Sequence, residues 1–186
     1  MNVIWLTGRS NTELGFLVAG TSKRPMLPGT IDRTLQIAGR NGSWDYGADV
    51  GSRVFNYDCV FITKDHLQLE QAAIRLAGYL VDSYGKPRSH ELILASRPDQ
   101  SITVRYTGSL DIDRIMGFGK FTLTLTAFDP LFKSSERLLE TNLSQSPSTI
   151  SIESSGTIRT EPYIVLTNQG TNTINKIRLV NEFRIE

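Results

Sequence analysis

The sequence predicts a mainly β protein with one α-helix, and three observations support that class. Short runs of β-branched and aromatic residues, bounded by Gly, Pro, Asn or Asp, recur along the chain. Residues 65–84 alone change to a helical period. Apolar residues make up 39% of the 186 residues and charged residues 21%, a balance typical of folded chains and not of disordered ones.

The predicted strands of the first 130 residues are residues 34–38, 53–62, 92–94, 102–106 and 121–127. The last of them alternates most clearly, because Phe121, Leu123, Leu125 and Ala127 share one face and threonines share the other. This pattern predicts a half-buried, antiparallel strand. In the run 53–62, Cys59 falls on the face of the aromatics, so we expect a buried thiol that packs as a small hydrophobe.

Residues 65–84 are predicted to form an amphipathic helix that packs on the sheet. Asp65 is placed to cap its first turn with Gln68 three residues later, and Gly85 and Pro87 are expected to end it. The residues of its apolar stripe recur at three- and four-residue steps and are expected to be core: Leu69, Ala73, Leu76, Ala77, Leu80 and Tyr84.

A domain boundary is predicted after residue 133, where the chain becomes poor in apolar residues and rich in Ser. Residues 1–133 then form the main domain, and residues 134–186 a smaller β region with short strands at 150–152, 163–167 and 177–180. The smaller region has no cysteine staple and no metal-ligand cluster. We therefore expect that it does not fold as an independent domain.

Enzymatic, metal-binding and cofactor-binding patterns are not predicted. His66 and His90 have no evident catalytic or metal partners in the sequence. The pair Asp111 and Asp113 lacks the further oxygen ligand and the glycine of a calcium loop. The Gly-Phe-Gly run at 117–119 leads into a strand, so it cannot present a helix N-terminus to a phosphate. We expect no catalytic, cofactor or metal residues.

The charge and hydropathy of the chain argue against nucleic acid and membranes as binding partners. Its net charge is +1, which gives no electrostatic footprint for nucleic acid or an anionic membrane, so we expect weak DNA binding at physiological salt. The first residues lack the pattern of an export signal, and no apolar run is long enough for a membrane span. We expect neither export nor a membrane partner.

The segment RNGSWDYGADVGSR, residues 40–53, interleaves glycines with aromatics and aspartates. We interpret it as a shaped loop, since glycine allows tight turns and Asp bonds its own backbone there. An acid pair formed by Asp45 and Asp49 is the weaker interpretation, because no His, Lys or Arg set surrounds them. Its aromatics pack either beneath the loop or across a subunit boundary.

Three segments in order carry a family resemblance. They are residues 40–53, the helix TKDHLQLEQAAIRLAGYL and the run YTGSLDIDRIMGFGKFTLTLTAFDPLF. Together they resemble the N-terminal domain of the distal tail proteins (Dit) of long-tailed phages, over about residues 28–133. No single one of these segments is specific for the family, but the three in this order are moderately specific.

The resemblance implies a fold and a role. The fold is a tail-tube-like β-sandwich with one helix, and residues 134–186 correspond to the abbreviated start of a galectin-like domain found in longer relatives. The role is that of a structural virion protein, a homo-oligomeric ring, hexameric in the family, at the distal end of the tail. The ring joins the tail tube to the baseplate or tip and surrounds the DNA-exit channel.

The partners and location are also implied by the resemblance. The partners would be copies of the chain, the tail-tube protein, a tail-tip (Tal-like) protein, and further the tape-measure, baseplate or receptor-binding proteins, with DNA only in transit. The location would be the virion tail, assembled in the bacterial host cytoplasm. We favour the subunit boundary for the aromatic segment, with these interface residues: Arg40, Trp44, Asp45, Tyr46 and Asp49.

A carbohydrate- or receptor-binding β-sandwich module is the alternative function. Such sandwiches are common scaffolds for recognition, and an aromatic such as Trp44 can stack on a sugar ring.

Overall fold

The computed structural model describes residues 3–115, 117–153, 156–158 and 160–182. Within them the chain forms eleven strands and one helix, which confirms the mainly β class with a single helix. In chain order the elements are β1 (Ile4–Leu6), β2 (Arg9–Ser10), β3 (Phe16–Val18), β4 (Thr30–Leu35), β5 (Trp44–Val50), β6 (Arg53–Ile62), α1 (His66–Leu80), β7 (Ser89–Leu94), β8 (Arg97–Tyr106), β9 (Ile112–Ile115), β10 (Phe118–Ala127) and β11 (Lys133–Ser134).

Nine of the strands form one antiparallel sheet in the order β2-β1-β7-β8-β10-β6-β3, with β9 paired to β10 and β11 to β8. Strands β8 and β10 share only two residue pairs, whereas β6 and β10 pair along their whole length. The sheet therefore divides into two halves at the junction of β8 and β10. Buried side chains from both halves and from α1 form one core cluster, as expected of a sandwich-like domain with a helix packed on it.

The two clearest strand predictions are confirmed. Strand β6 has the predicted bounds, and the predicted face of β10 is buried from Phe121 to Ala127. Cys59 is buried as expected, and burial raises the pKa of its thiol to about 12. The sequence did not predict β1, β2, β3 and β9, because strands of two to four residues are too short to show a period.

The helix begins as predicted but ends early. The Asp65 side chain accepts a hydrogen bond from the backbone N–H of Gln68 at 2.8 Å, which caps the first turn. The helix ends at Leu80 and not at residue 84, because Val81 adopts an extended conformation and pairs with Pro87 across a turn. Tyr84 lies in that turn and is 86% exposed.

The buried stripe of α1 differs from the prediction in two further residues. Ala72 is buried in it, whereas Ala77 is exposed. The buried face of the helix is therefore shifted from the predicted one, toward the side of Tyr79. Tyr79 packs against the core, and its hydroxyl donates a hydrogen bond to the carbonyl of Leu6 at 2.6 Å. The observed buried residues of the helix are Leu69, Ala72, Leu76 and Leu80.

The chain divides into two units, Met1–Leu138 and Leu139–Glu186. The first unit contains every strand named above and includes β11, which pairs with β8 beyond residue 133. In the described part of the second unit there is neither helix nor strand within this chain, and the strands at 150–152, 163–167 and 177–180 stay predictions. A strand requires a paired neighbour, and the apolar residues of this unit are exposed instead, for example Tyr163.

Candidate interaction surface

The segment read from the sequence as a loop is largely a strand. Residues 44–50 form β5, which pairs with β4 in a separate two-stranded sheet. At its base the N–H of Gly51 donates to the carbonyl of Gly29 at 2.8 Å, and at its turn Gly42 has a φ of +83°. The loop interpretation was therefore wrong for most of the segment. Alternation of Trp44 and Tyr46 with polar neighbours was a signal for the strand.

A β-bulge determines which side chains share a face of this hairpin. The register passes from Asp32 opposite Ala48 to Thr34 opposite Asp45, so two residues of β5 oppose Arg33 alone. One of the two is Gly47, whose φ of +93° is a conformation that favours glycine. The Asp45 side chain stabilises the bulge by accepting a hydrogen bond from the Gly47 N–H at 2.8 Å.

The register makes the hairpin amphipathic. Strand alternation on either side of the bulge gives one face mostly to polar or small side chains, with Val50 at its end, and the other face to most of the large apolar side chains. Every residue of both strands is exposed, and the aromatic side chains are 49% (Trp44) and 67% (Tyr46) exposed. We call the following residues the hairpin face: Ile31, Arg33, Leu35, Trp44, Tyr46 and Asp49.

Charged groups border the apolar residues of the hairpin face. The Arg40 guanidinium lies 3.8 Å from the centroid of the Trp44 ring, and Arg33 forms an ion pair with Asp49. Both contacts are at the surface, where such pairs contribute little to stability. They place the two arginine side chains beside residues of the hairpin face.

Of the five residues predicted for the interface, four lie on β5 and divide between its two faces, and Arg40 lies over the Trp44 ring. The structure brings together Arg40, Trp44, Tyr46 and Asp49, whereas Asp45 points to the opposite face and serves the bulge. Asp45 and Asp49 do not form an acid pair.

Sequence analysis missed the two apolar residues that β4 contributes to the hairpin face. Ile31 and Leu35 are 59% and 47% exposed. They alternate with polar residues along β4, which was the signal available in the sequence. The strand predicted there, residues 34–38, began four residues too late.

A metal-binding group does not accompany this surface in the part of the chain that the structure describes. Among the residues that the structure describes, no three His, Cys, Asp or Glu side chains are grouped to hold a metal ion. His90 is buried beside Tyr79, with its Nδ1 3.1 Å from the Thr7 hydroxyl. The helix of the described chain is too short and too polar to cross a membrane.

Comparison with protein families identifies the chain. A family model described as the phage tail protein RIFT-related domain matches residues 10–127, well over half of the sequence. The chain belongs to this family of phage tail proteins. The tail protein is therefore a structural component of the virion tail, not an enzyme. No match was found among curated protein sequences.

Solved structures support the same fold. The crystal structure of SPP1 Dit (gp 19.1), described as a paradigm of the hub adsorption apparatus in phages that infect Gram-positive bacteria, superimposes with a TM-score of 0.61 at 18% sequence identity. The match covers 73% of the tail protein and 53% of SPP1 Dit. The tail protein thus spans about half the length of that relative and shares its fold.

Proposed function

We propose that the tail protein is a distal tail subunit whose copies form a ring, hexameric as in the family it resembles. The ring joins the tail tube to the baseplate or tip and surrounds the channel through which DNA leaves. Its partners are the tail-tube protein and a tail-tip protein, with tape-measure, baseplate or receptor-binding proteins as further neighbours. Membership of a phage tail family and the Dit-like fold support this proposal.

The exposed hairpin face is the observation that carries the ring. A two-stranded ribbon is at best marginally stable alone in water. In this hairpin the side chains on both faces remain exposed to solvent. An apolar strip bordered by polar groups is the composition of a protein interface core and its rim. A neighbouring copy that covers this strip would supply the packing that the hairpin lacks in one chain.

The chemistry of the hairpin face fits a protein partner better than a sugar. Aromatic and arginine side chains are enriched at the centres of protein interfaces, because they bury large areas at low entropic cost. Arg40 already covers the Trp44 ring at 3.8 Å. A sugar that stacked on that side of the ring would have to displace the guanidinium.

The experiment compares the oligomeric state of three proteins by light scattering and negative-stain microscopy over a range of concentrations. We expect the wild type to form rings, and the double variant Trp44→Ala/Tyr46→Ala to dissociate with an affinity at least about thirtyfold weaker, since interface hot spots contribute about 2 kcal/mol or more. Tyr84→Ala is the matched control, because Tyr84 is an exposed aromatic outside the hairpin.

Thermal unfolding of the same variants separates assembly from folding. The hairpin aromatics lie outside the core cluster, so we expect the double variant to keep the unfolding midpoint of the monomer. A core role would lower stability by about 3–5 kcal/mol per aromatic. A wild type that stays monomeric at every concentration and forms no rings in isolated tails would contradict the proposal.

A further inference from the structure

Arginine and aromatic side chains form a cluster where β6 begins. Phe55 stacks on Tyr57 with ring centroids 6.3 Å apart, and Phe132 meets Phe55 edge-on at 6.4 Å. Guanidinium carbons lie 5.0 and 5.1 Å from the centroid of the Phe132 ring and 5.8 Å from that of Tyr57. We call these residues the arginine–aromatic cluster: Arg24, Arg53, Phe55, Tyr57, Arg97 and Phe132.

The cluster has hydrogen-bond donors without acceptors. Arg53 is only 6% exposed, and its Nε is buried without a hydrogen-bond partner. Within the part of the chain that the structure describes, no carboxylate lies within ion-pair distance of Arg24, Arg53 or Arg97. The hydroxyl of Tyr57 is likewise buried and unpartnered. Buried arginines are normally paired, so this arrangement lacks a negative group.

The pKa shifts of Arg53 and Tyr57 are consistent with a missing negative group. Burial, and secondly the charge of Arg97, lower the pKa of Arg53 from its ordinary value. Burial raises the pKa of Tyr57, which keeps its hydroxyl protonated and able to donate. An anion beside Arg53 and Arg97 would offset the repulsion between their two charges and would offer an acceptor to the guanidinium of Arg53.

A carboxylate is the anion whose geometry suits these donors best. Its planar pair of oxygens matches the fork of a guanidinium and accepts two parallel hydrogen bonds. Arg53 lies over the Phe132 ring and is 6% exposed, so only a small, flat group can reach it. A phosphodiester in nucleic acid carries two bulky substituents, and the near-neutral chain offers no wider basic surface to attract one.

We propose that the arginine–aromatic cluster is a carboxylate-binding site, filled by an Asp or Glu side chain of an adjoining protein subunit. The aromatic row fixes the positions of the guanidiniums before binding, so less side-chain entropy is lost when the carboxylate enters. This site is distinct from the hairpin face and shares none of its residues.

The test follows the Nε–Hε signal of Arg53 by NMR while sodium acetate replaces sodium chloride at constant ionic strength. The signal is assigned by its loss in Arg53→Gln. We expect a saturable shift with acetate. In Arg97→Met we expect about tenfold weaker acetate binding, since one charge-assisted contact is lost. Arg75→Met, which removes an exposed helix arginine, is the control and should bind acetate as the wild type does.

A shift that is linear in acetate, or equal with chloride, would overturn the proposal, as would equal affinities in Arg97→Met and Arg75→Met. The same acetate titration is repeated on Trp44→Ala/Tyr46→Ala, the variant designed to impair ring formation. Acetate binding by this variant shows that the site does not depend on the ring. A protein dilution series without acetate then identifies the source. A concentration-dependent shift of the Arg53 signal assigns the carboxylate to a second copy, and an unchanged signal that still responds to acetate assigns it to another protein.

Discussion

Two glycines at the start of β10 lie where neighbouring atoms leave no room for a side chain. A Cβ on Gly117 would collide with the backbone carbonyl of Thr63, and one on Gly119 would lie 2.6 Å from a methyl of Leu69. The same Gly117 carbonyl accepts hydrogen bonds from the N–H and the hydroxyl of Thr63, both at 2.9 Å. These glycines therefore serve close packing between β10 and the chain that enters α1.

Gly117→Ala is expected to lower the free energy of unfolding by about 1–3 kcal/mol, because the added methyl must displace backbone. Gly78→Ala is the control, since a Cβ at this exposed position of α1 meets nothing within 4 Å. It should raise stability by about 0.5–1 kcal/mol through helix propensity. Chemical denaturation measures both. Equal effects of the two substitutions would contradict the close contact at Gly117.

His90 is a buried imidazole in the core. Burial, and secondly the charge of Arg88, lower its pKa below the ordinary value. The unfolded chain therefore binds a proton more readily than the folded chain at mildly acidic pH. Stability from this residue is present above the unfolded pKa of about 6.5 and is lost as the pH falls below it.

We expect the free energy of unfolding to decrease between about pH 7.5 and pH 5.5, and His90→Gln to remove most of that slope. The carboxyls of Glu13 and Asp129 do not titrate in this pH range, because their pKa values are lowered. Their contribution to the stability of the protein is lost only in more acidic solution. Urea titrations at several pH values measure the slope. His66→Gln, at the exposed helix start, should retain it, and an unchanged slope in His90→Gln would refute the assignment.

At the scale of elements, α1 shows how local signals set one end of a helix and tertiary contacts the other. Its first turn is capped by Asp65, three residues before the donor Gln68, a spacing visible in the sequence. Its last turn ends where Val81 pairs with Pro87, and Asp82 accepts hydrogen bonds from the N–H groups of Tyr84 and Lys86. That second set of contacts requires the following turn to be in place.

Asp65→Ala is expected to cost about 1 kcal/mol of stability, because an amide of the first turn loses its acceptor. Asp65→Asn, which keeps a side-chain oxygen at the same place, should stay within a few tenths of a kcal/mol of the wild type. Thermal unfolding of the three proteins makes the comparison. If both substitutions cost the same, the charge of Asp65 and not its hydrogen bond would be responsible.

At the scale of the whole molecule, the chain combines a cored unit with one whose described residues carry no regular structure. The core cluster lies within residues 1–138, and the exposed apolar residues beyond it include Ile164, Val165 and Leu179. The domain boundary at residue 133 and the β character of the second region stay predictions.

We expect residues 1–138 expressed alone to unfold cooperatively and residues 139–186 alone to show no cooperative transition. A fragment of that size buries too little apolar surface to offset an entropy cost of about 1.5 kcal/mol per ordered residue. Calorimetry and amide NMR of each fragment make the test, with limited proteolysis of the full chain expected to cut first within residues 134–148. Dispersed amide signals from 139–186 as a monomer would contradict this prediction.

The sequence by itself determined the class of the protein, the strands β6 and β10, the start of α1 and the resemblance to phage tail proteins. These features depend on neighbours a few residues apart, so alternation from Phe121 to Ala127 or the cap at Asp65 can be read directly. A strict period also shows which face of a strand is buried.

Only the tertiary structure decided the short strands β1 to β3, the end of the helix, the two faces of the hairpin and the arginine–aromatic cluster. The bulge at Gly47 determines which side chains share a face, and it depends on the register with β4. Arg53, Arg97 and Phe132 come from separate segments and meet because β6, β8 and the end of β10 converge. Contacts between residues far apart in the chain leave no local period, so the sequence alone could not place them.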